Sequence, residues 1–128
     1  MAIKYHNPKS VSLAGKYSLG AEIPVGARIL SVSGQVGVDS RGKLQQGFDK
    51  QAVQVWKNIG QVLKAGGMGY KDIVKITSFL TDARFVGGFR TVRDQFITEP
   101  PYPSSTLLIV AGLADPAMLI EIEVLAAK

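Results

Sequence analysis

Pro103-Ser104-Ser105-Thr106-Leu107-Leu108-Ile109-Val110-Ala111 and, after a turn marked by Asp115 and Pro116, Leu119-Ile120-Glu121-Ile122-Glu123-Val124-Leu125-Ala126 dominate the last quarter of this chain. Both read as strands. Pro100-Pro101-Tyr102-Pro103 forbids regular structure, because proline lacks an amide donor and restricts the residue before it. The chain therefore enters Leu107–Ala111 extended. That run is apolar with no polar alternation. In the last strand, Leu119 and Leu125 share a face with Glu121 and Glu123, since side chains alternate along a strand. A sheet with apolar residues on both faces needs cover on both.

Upstream, Arg28 to Val38 reads as a strand closed by a turn at Asp39-Ser40-Arg41-Gly42. Gly15 to Ala21 is a weaker, polar strand that could pair with it as a hairpin. From Phe48 the period changes. Ala52, Val55, Trp56, Ile59, Val62 and Leu63 fall on one helical stripe. Gly66-Gly67 ends that helix, because glycine takes a left-handed C-cap without steric cost. Asp72 to Leu80 reads as a strand, with Val74, Ile76 and Leu80 on one face. Phe85, Phe89, Val92 and Phe96 predict a second helix over 85–98, weakened by Gly87 and Gly88. The order β-β-α-β-α-β-β predicts an α+β domain: a mixed β-sheet with two helices packed on one face. The simplest cover for the other face is another copy of the chain.

The 128 residues suit a single domain over 1–128. The absence of cysteine excludes disulfides and thiolate chemistry. No apolar run approaches the length of a membrane span, and no secretory leader is visible, so the expectation is cytoplasmic. The net charge of +5 raises nucleic acid as a partner. The basic residues are spread almost evenly, however, from Lys4 to Lys128, whereas a phosphate footprint clusters. A solubilising surface is the preferred reading, and a nucleic-acid partner is not expected.

Glu121 and Glu123, two apart on a strand, could do acid–base work or simply form a solvated face. Ser105 and Thr106 lack a base: the only histidine, His6, lies in a loosely held N-terminus, so a serine triad is not expected. They remain credible hydrogen-bond donors to a ligand carboxylate. Ser33-Gly34-Gln35 places a glycine where backbone can approach a ligand or a bulge can form. Phe89 reads first as core. Gly66-Gly67-Met68-Gly69 follows a helix rather than preceding one, so it is no phosphate loop. No Walker, dinucleotide or metal-ligand motif occurs, and no cofactor or metal is expected.

Taken in order, Gly15-Lys16-Tyr17-Ser18-Leu19-Gly20, Ser31-Val32-Ser33-Gly34-Gln35-Val36, the strand after Pro103 and Ile120-Glu121-Ile122-Glu123 resemble the Rid family, also called YjgF or L-PSP. The resemblance runs from about Gly15 to Ala126. It implies a chorismate-mutase-like fold and a homotrimer with sites in clefts between subunits. It also implies hydrolysis of reactive enamines and imines of small carboxylates. Glu121 would position the attacking water, Tyr17 would close over the site, and the backbone at Ser33-Gly34 would lie beside the substrate carboxylate. Phe89 stands where many relatives have asparagine. The family's arginine just after the proline is replaced here by Ser105, and no arginine follows Arg93. Serine cannot reproduce arginine's planar two-pronged grip. Arg84, Arg90 or Arg93 could supply a cation instead. Three readings follow: an enamine or imine hydrolase, a non-catalytic trimer that binds a small metabolite, and an RNA binder or nuclease of the L-PSP type. No pair of histidines supports the last.

Overall fold

A computed structural model describes residues 2–128. The chain runs β1 (Lys4–His6), β2 (Gly20–Glu22), β3 (Ile29–Val36), α1 (Phe48–Ala65), β4 (Ile73–Leu80), α2 (Val86–Phe96), β5 (Ser104–Ile109) and β6 (Ile120–Ala127). The main sheet has the order β3-β6-β4-β5. β4 and β5 are parallel, joined by the crossover through α2; β6 is antiparallel to both β3 and β4. The expected mixed α+β sheet with two helices is what forms.

The expected hairpin between Gly15–Ala21 and the next strand does not form. β2 pairs with β1 instead, with Lys4 opposite Glu22 and His6 opposite Gly20. The polar segment offers β3 no apolar face to pack, whereas His6 and Glu22 contribute a side-chain contact of 2.9 Å between Nε2 and Oε1. His6 and its neighbours Lys4 and Tyr5 are thereby tied down rather than loose. β5 also starts earlier than the apolar run suggests, because Ser104 joins the ladder and its hydroxyl donates to the Val74 carbonyl at 3.0 Å.

α1 buries Ala52, Val55, Trp56, Ile59 and Leu63, as the stripe predicts. It stops in a Schellman arrangement: Gly67 has φ +73°, its N–H donates to the Lys64 carbonyl, and the Met68 N–H reaches back to Leu63. α2 is shorter than the sequence period suggests. Phe96 stacks on Trp56 with centroids 6.1 Å apart, and Phe85 stacks on Phe48 at 4.5 Å. A side chain at Gly88 would press on the Phe48 ring and on Asp49, so this glycine lets the start of α1 approach α2.

Ile76, Ser78 and Leu80 from β4 and Ile120, Ile122 and Val124 from β6 are buried on the helical side of the sheet. The opposite face is uncovered in the single chain. Ile29 is 61% exposed, Leu108 41% and Leu125 36%, and Glu121, Glu123 and Thr106 share that face.

Candidate functional site

The residues singled out above fall into two groups on opposite faces of the sheet. Glu121 on β6 lies level with Val36 of β3 and Phe79 of β4, on the uncovered face. Between Val32 and Gln35 the β3–β6 register slips, so Ser33 and Gly34 form a bulge opposite Glu123. Of the two alternatives open in the sequence the bulge is present, and the close approach seen here is that of the Glu121 side chain. A Cβ built on Gly34 would collide with the Glu121 carboxylate. Glycine at 34 therefore lets that carboxylate lie directly against the β3 backbone.

Tyr17, Phe89 and Ser105 form the second group. They line a cavity of about 430 Å³ on the helical side, together with Lys16, Arg90, Arg93, Asp94 and Leu107. Ser105 is level with buried Ile76, which turns its side chain toward α2. Thr106, the next residue, points the other way and accepts a hydrogen bond from Lys75 Nζ at 2.7 Å. The pairing of Ser105 and Thr106 in one site is thus not what the fold provides. Phe89 is 2% exposed and belongs to the core, while also forming a wall of the cavity.

The loop that carries Tyr17 is pinned at three points. The Ser18 N–H donates to the Pro103 carbonyl, and its hydroxyl donates to the Tyr102 carbonyl at 2.6 Å. The Leu19 N–H donates to Asn7 at 2.7 Å, and Lys16 Nζ reaches Asp94 at 3.3 Å. Gly15 matters because a side chain there would meet the Tyr17 ring. Ser18 and Asp94 are the anchors that sequence reading missed; both bonds join residues far apart in the chain.

The three arginine candidates separate clearly. Arg84 forks onto Asp82, with Nη2 at 2.7 Å, and this hydrogen bonding draws the Asp82 carboxyl down to about 2. It lies outside the cavity lining. Arg93, with 11% of its side chain exposed, bonds Asp94 at 3.1 Å and sits 5.7 Å from the Phe89 ring centroid. Arg90 is exposed, lines the cavity and takes part in none of the ion pairs formed among the described residues.

Burial pushes the Asp94 carboxyl up, but hydrogen bonds from Arg93 and Lys16 outweigh it and hold its pKa below the ordinary 3.8. A carboxylate whose folded pKa is depressed stabilises the fold above its unfolded value, and that contribution is lost as pH falls through the folded value. Asp94→Asn should therefore cost only about 0.5 kcal/mol at neutral pH, given its partial exposure. The same change should speed amide exchange at residues 15–17. The penalty should fade as pH falls through the depressed Asp94 value, below the ordinary carboxylate range, where wild type loses the charge as well. Thermal unfolding and hydrogen exchange against pH check this.

A cavity of about 320 Å³ between Tyr70, Phe96 and Pro100–Pro103 contains none of the expected site residues. Among the described residues no group of three His, Cys, Asp or Glu side chains could hold a metal ion. No helix is long and apolar enough to cross a membrane.

Residues 8–128 match the profile of the family described as endoribonuclease L-PSP. The chain is 36% identical over 107 residues to the RutC family protein YjgH of Escherichia coli, covering 79% of this chain and 82% of that one. It is 33% identical over 124 residues to the 2-iminobutanoate/2-iminopropanoate deaminase of Mus musculus, covering 94% and 87%. Among solved structures it superposes on RidA from an Antarctic Psychrobacter with a TM-score of 0.76 at 31% identity, covering 91% of this chain and 92% of that one.

Proposed function

The chain belongs to the Rid, or endoribonuclease L-PSP, family, and from that premise we propose that it hydrolyses a small reactive enamine or imine of a 2-amino acid to a keto acid and ammonia. The observation that carries the reading is the placement of Glu121. Its carboxylate faces the β3 bulge, on a face that other copies of the chain would enclose. The deaminase of the mouse relative supports the reaction class.

The proposed chemistry is a water addition. Glu121 takes a proton from water as its oxygen bonds to the imine carbon, and the carbon–nitrogen π electrons move to nitrogen. The resulting carbinolamine expels ammonia after the nitrogen is protonated, and the carbonyl forms as the hydroxyl proton leaves. An enamine first tautomerises to the imine by protonation at carbon. The backbone at Ser33-Gly34 orients the ligand, and Tyr17 closes the opposite wall.

Glu121 cannot meet its own Ser105: the two lie on opposite faces, two strands or ~10 Å apart across the sheet. A complete site therefore needs two copies, with Glu121, Ser33 and Gly34 from one and Tyr17, Phe89 and Ser105 from the next. A homotrimer closes such head-to-tail clefts in a ring, and exposed Ile29, Leu108 and Leu125 are the apolar surface it would bury.

The test is the decay of 2-aminoacrylate generated in situ, followed as pyruvate and ammonia release. Wild type should accelerate it well above the spontaneous rate. An inert wild type that gains activity as Ser105→Arg would show an intact scaffold devoted to another ligand. That is the metabolite-binding reading, which the serine at 105 favours. If neither protein acts, the hydrolase reading falls.

A further inference from the structure

We propose that Arg90 is the carboxylate anchor of this protein, and that the cavity around it selects a monocarboxylate with a bulky apolar side chain over a three-carbon acid. This rests on the deaminase reading for the reaction, but its own basis is the composition of the cavity wall. Lys16, Arg90 and Arg93 line the cavity with a single acid, Asp94. Asp94 already accepts from both Lys16 and Arg93. Arg93 is further committed to the Phe89 ring and is mostly buried. Two positive charges face one negative in that triad, and Arg90 adds a third with no acid of its own. An anion is the complement this wall lacks.

Arg90 is suited to the task. Its guanidinium offers a planar fork that matches both oxygens of a carboxylate. It projects from α2 toward a cavity whose other wall carries Ser105. The charge that serine cannot supply thus comes from the helix rather than from the strand. Asp94, close by, disfavours a second carboxylate on the ligand.

Apart from Ser105 and the Tyr17 hydroxyl, the rest of the wall is apolar. Phe89 and Leu107 face the cavity, and Tyr17 presents its ring from the loop. The cavity, about 430 Å³, falls within the range of roughly 300–1,000 Å³ typical of ligand pockets. It is roomy for pyruvate or its imine. A branched or aryl side chain would fill it and remove apolar surface from water. The substrate class is then a 2-imino or 2-enamino acid with an apolar side chain.

The test is calorimetric binding of stable keto acids, which reads affinity without turnover. The probes are 2-oxo-3-phenylpropanoate, pyruvate and the uncharged ketone 1-phenylpropan-2-one. The proteins are wild type, Arg90→Ala, Arg90→Lys and, as a control outside the cavity, Arg84→Ala. Wild type should bind the aryl acid more tightly than pyruvate. Arg90→Ala should weaken the aryl acid roughly 30-fold, the loss of a charge-assisted pair. Arg90→Lys should recover part of this, and Arg84→Ala should bind like wild type. The ketone should bind wild type and Arg90→Ala equally. Unchanged affinity in Arg90→Ala, no preference for the aryl acid, or no binding of either acid by wild type would each overturn the proposal. Arg90-dependent binding without any enamine hydrolysis would uphold this anchor while sinking the deaminase reading. Hydrolysis without dependence on Arg90 would do the reverse. Because Arg90 is exposed, its variants should unfold at the wild-type temperature, which separates lost affinity from lost fold.

Discussion

Glu121→Gln is expected to lower kcat on an enamine substrate by about 10³-fold, the usual worth of a positioned acid–base group. The thermal midpoint should stay near that of wild type, because glutamine keeps the shape and the residue is only half buried. The amide can still hold water by hydrogen bonding but cannot accept its proton. Gly34→Ala provides an independent approach to the same group. Its methyl would occupy the space of the Glu121 carboxylate. The obstacle is the far end of a flexible side chain, so the sheet should survive while the carboxylate swings away. The expected result is a fall in kcat of similar order, with KM little changed. Steady-state kinetics and unfolding curves on both variants check this. Full activity in Gly34→Ala would mean that the carboxylate works from another position, and full activity in Glu121→Gln would remove it from the mechanism.

Leu125→Asp is expected to dissociate the proposed trimer and with it all turnover. Leu125 is 36% exposed in the single chain, on the face bearing Ile29 and Leu108, so a monomer tolerates a carboxylate there. Sealed against a neighbouring copy, an unpaired charge costs about 3–5 kcal/mol. That weakens association by ~10²–10⁴-fold per contact. Sedimentation should give a folded monomer with unchanged far-ultraviolet dichroism. A trimer that persists with full activity would contradict the assignment of this face. A complementary result is expected from co-expression of Glu121→Gln with Arg90→Ala. If each cleft takes its halves from different copies, roughly a quarter of clefts combine two intact halves and regain activity. A site within one chain would show no such rescue.

Much of the fold was legible because local rules and packing agreed. The stripe from Ala52 to Leu63 and the glycines after it specify α1 and its end. The alternation from Ile120 to Ala126 specifies β6. Gly15–Ala21 was misread because its pairing depends on which edge is free. That is a property of the assembled sheet, and the short β1 had no apolar pattern to announce it.

The candidate site was legible residue by residue but not as an arrangement. Serine and threonine at 105 and 106 looked like one hydrogen-bonding pair. Strand alternation, together with the pairing to β4, sends them to opposite faces. Arg84, Arg90 and Arg93 were equivalent candidates on paper. Their partners distinguish them: Asp82 for the first, Asp94 and the Phe89 ring for the third, and the cavity for the second. Ser18 and Lys16 acquire their roles only through Tyr102, Pro103 and Asp94, more than seventy residues away.

By itself the sequence determined the class of fold, the order of the elements from β2 onward and, through a resemblance of motifs, the family. The first two follow from periods of two and of about 3.6 residues and from turn chemistry, which act over a few neighbours. Only the tertiary structure decided that Glu121 and Ser105 stand on opposite faces and that, of Arg84, Arg90 and Arg93, Arg90 is the one without an ion pair among the described residues. Those outcomes depend on strand order, register and side-chain partners, which are fixed by long-range packing between segments that local pattern does not connect.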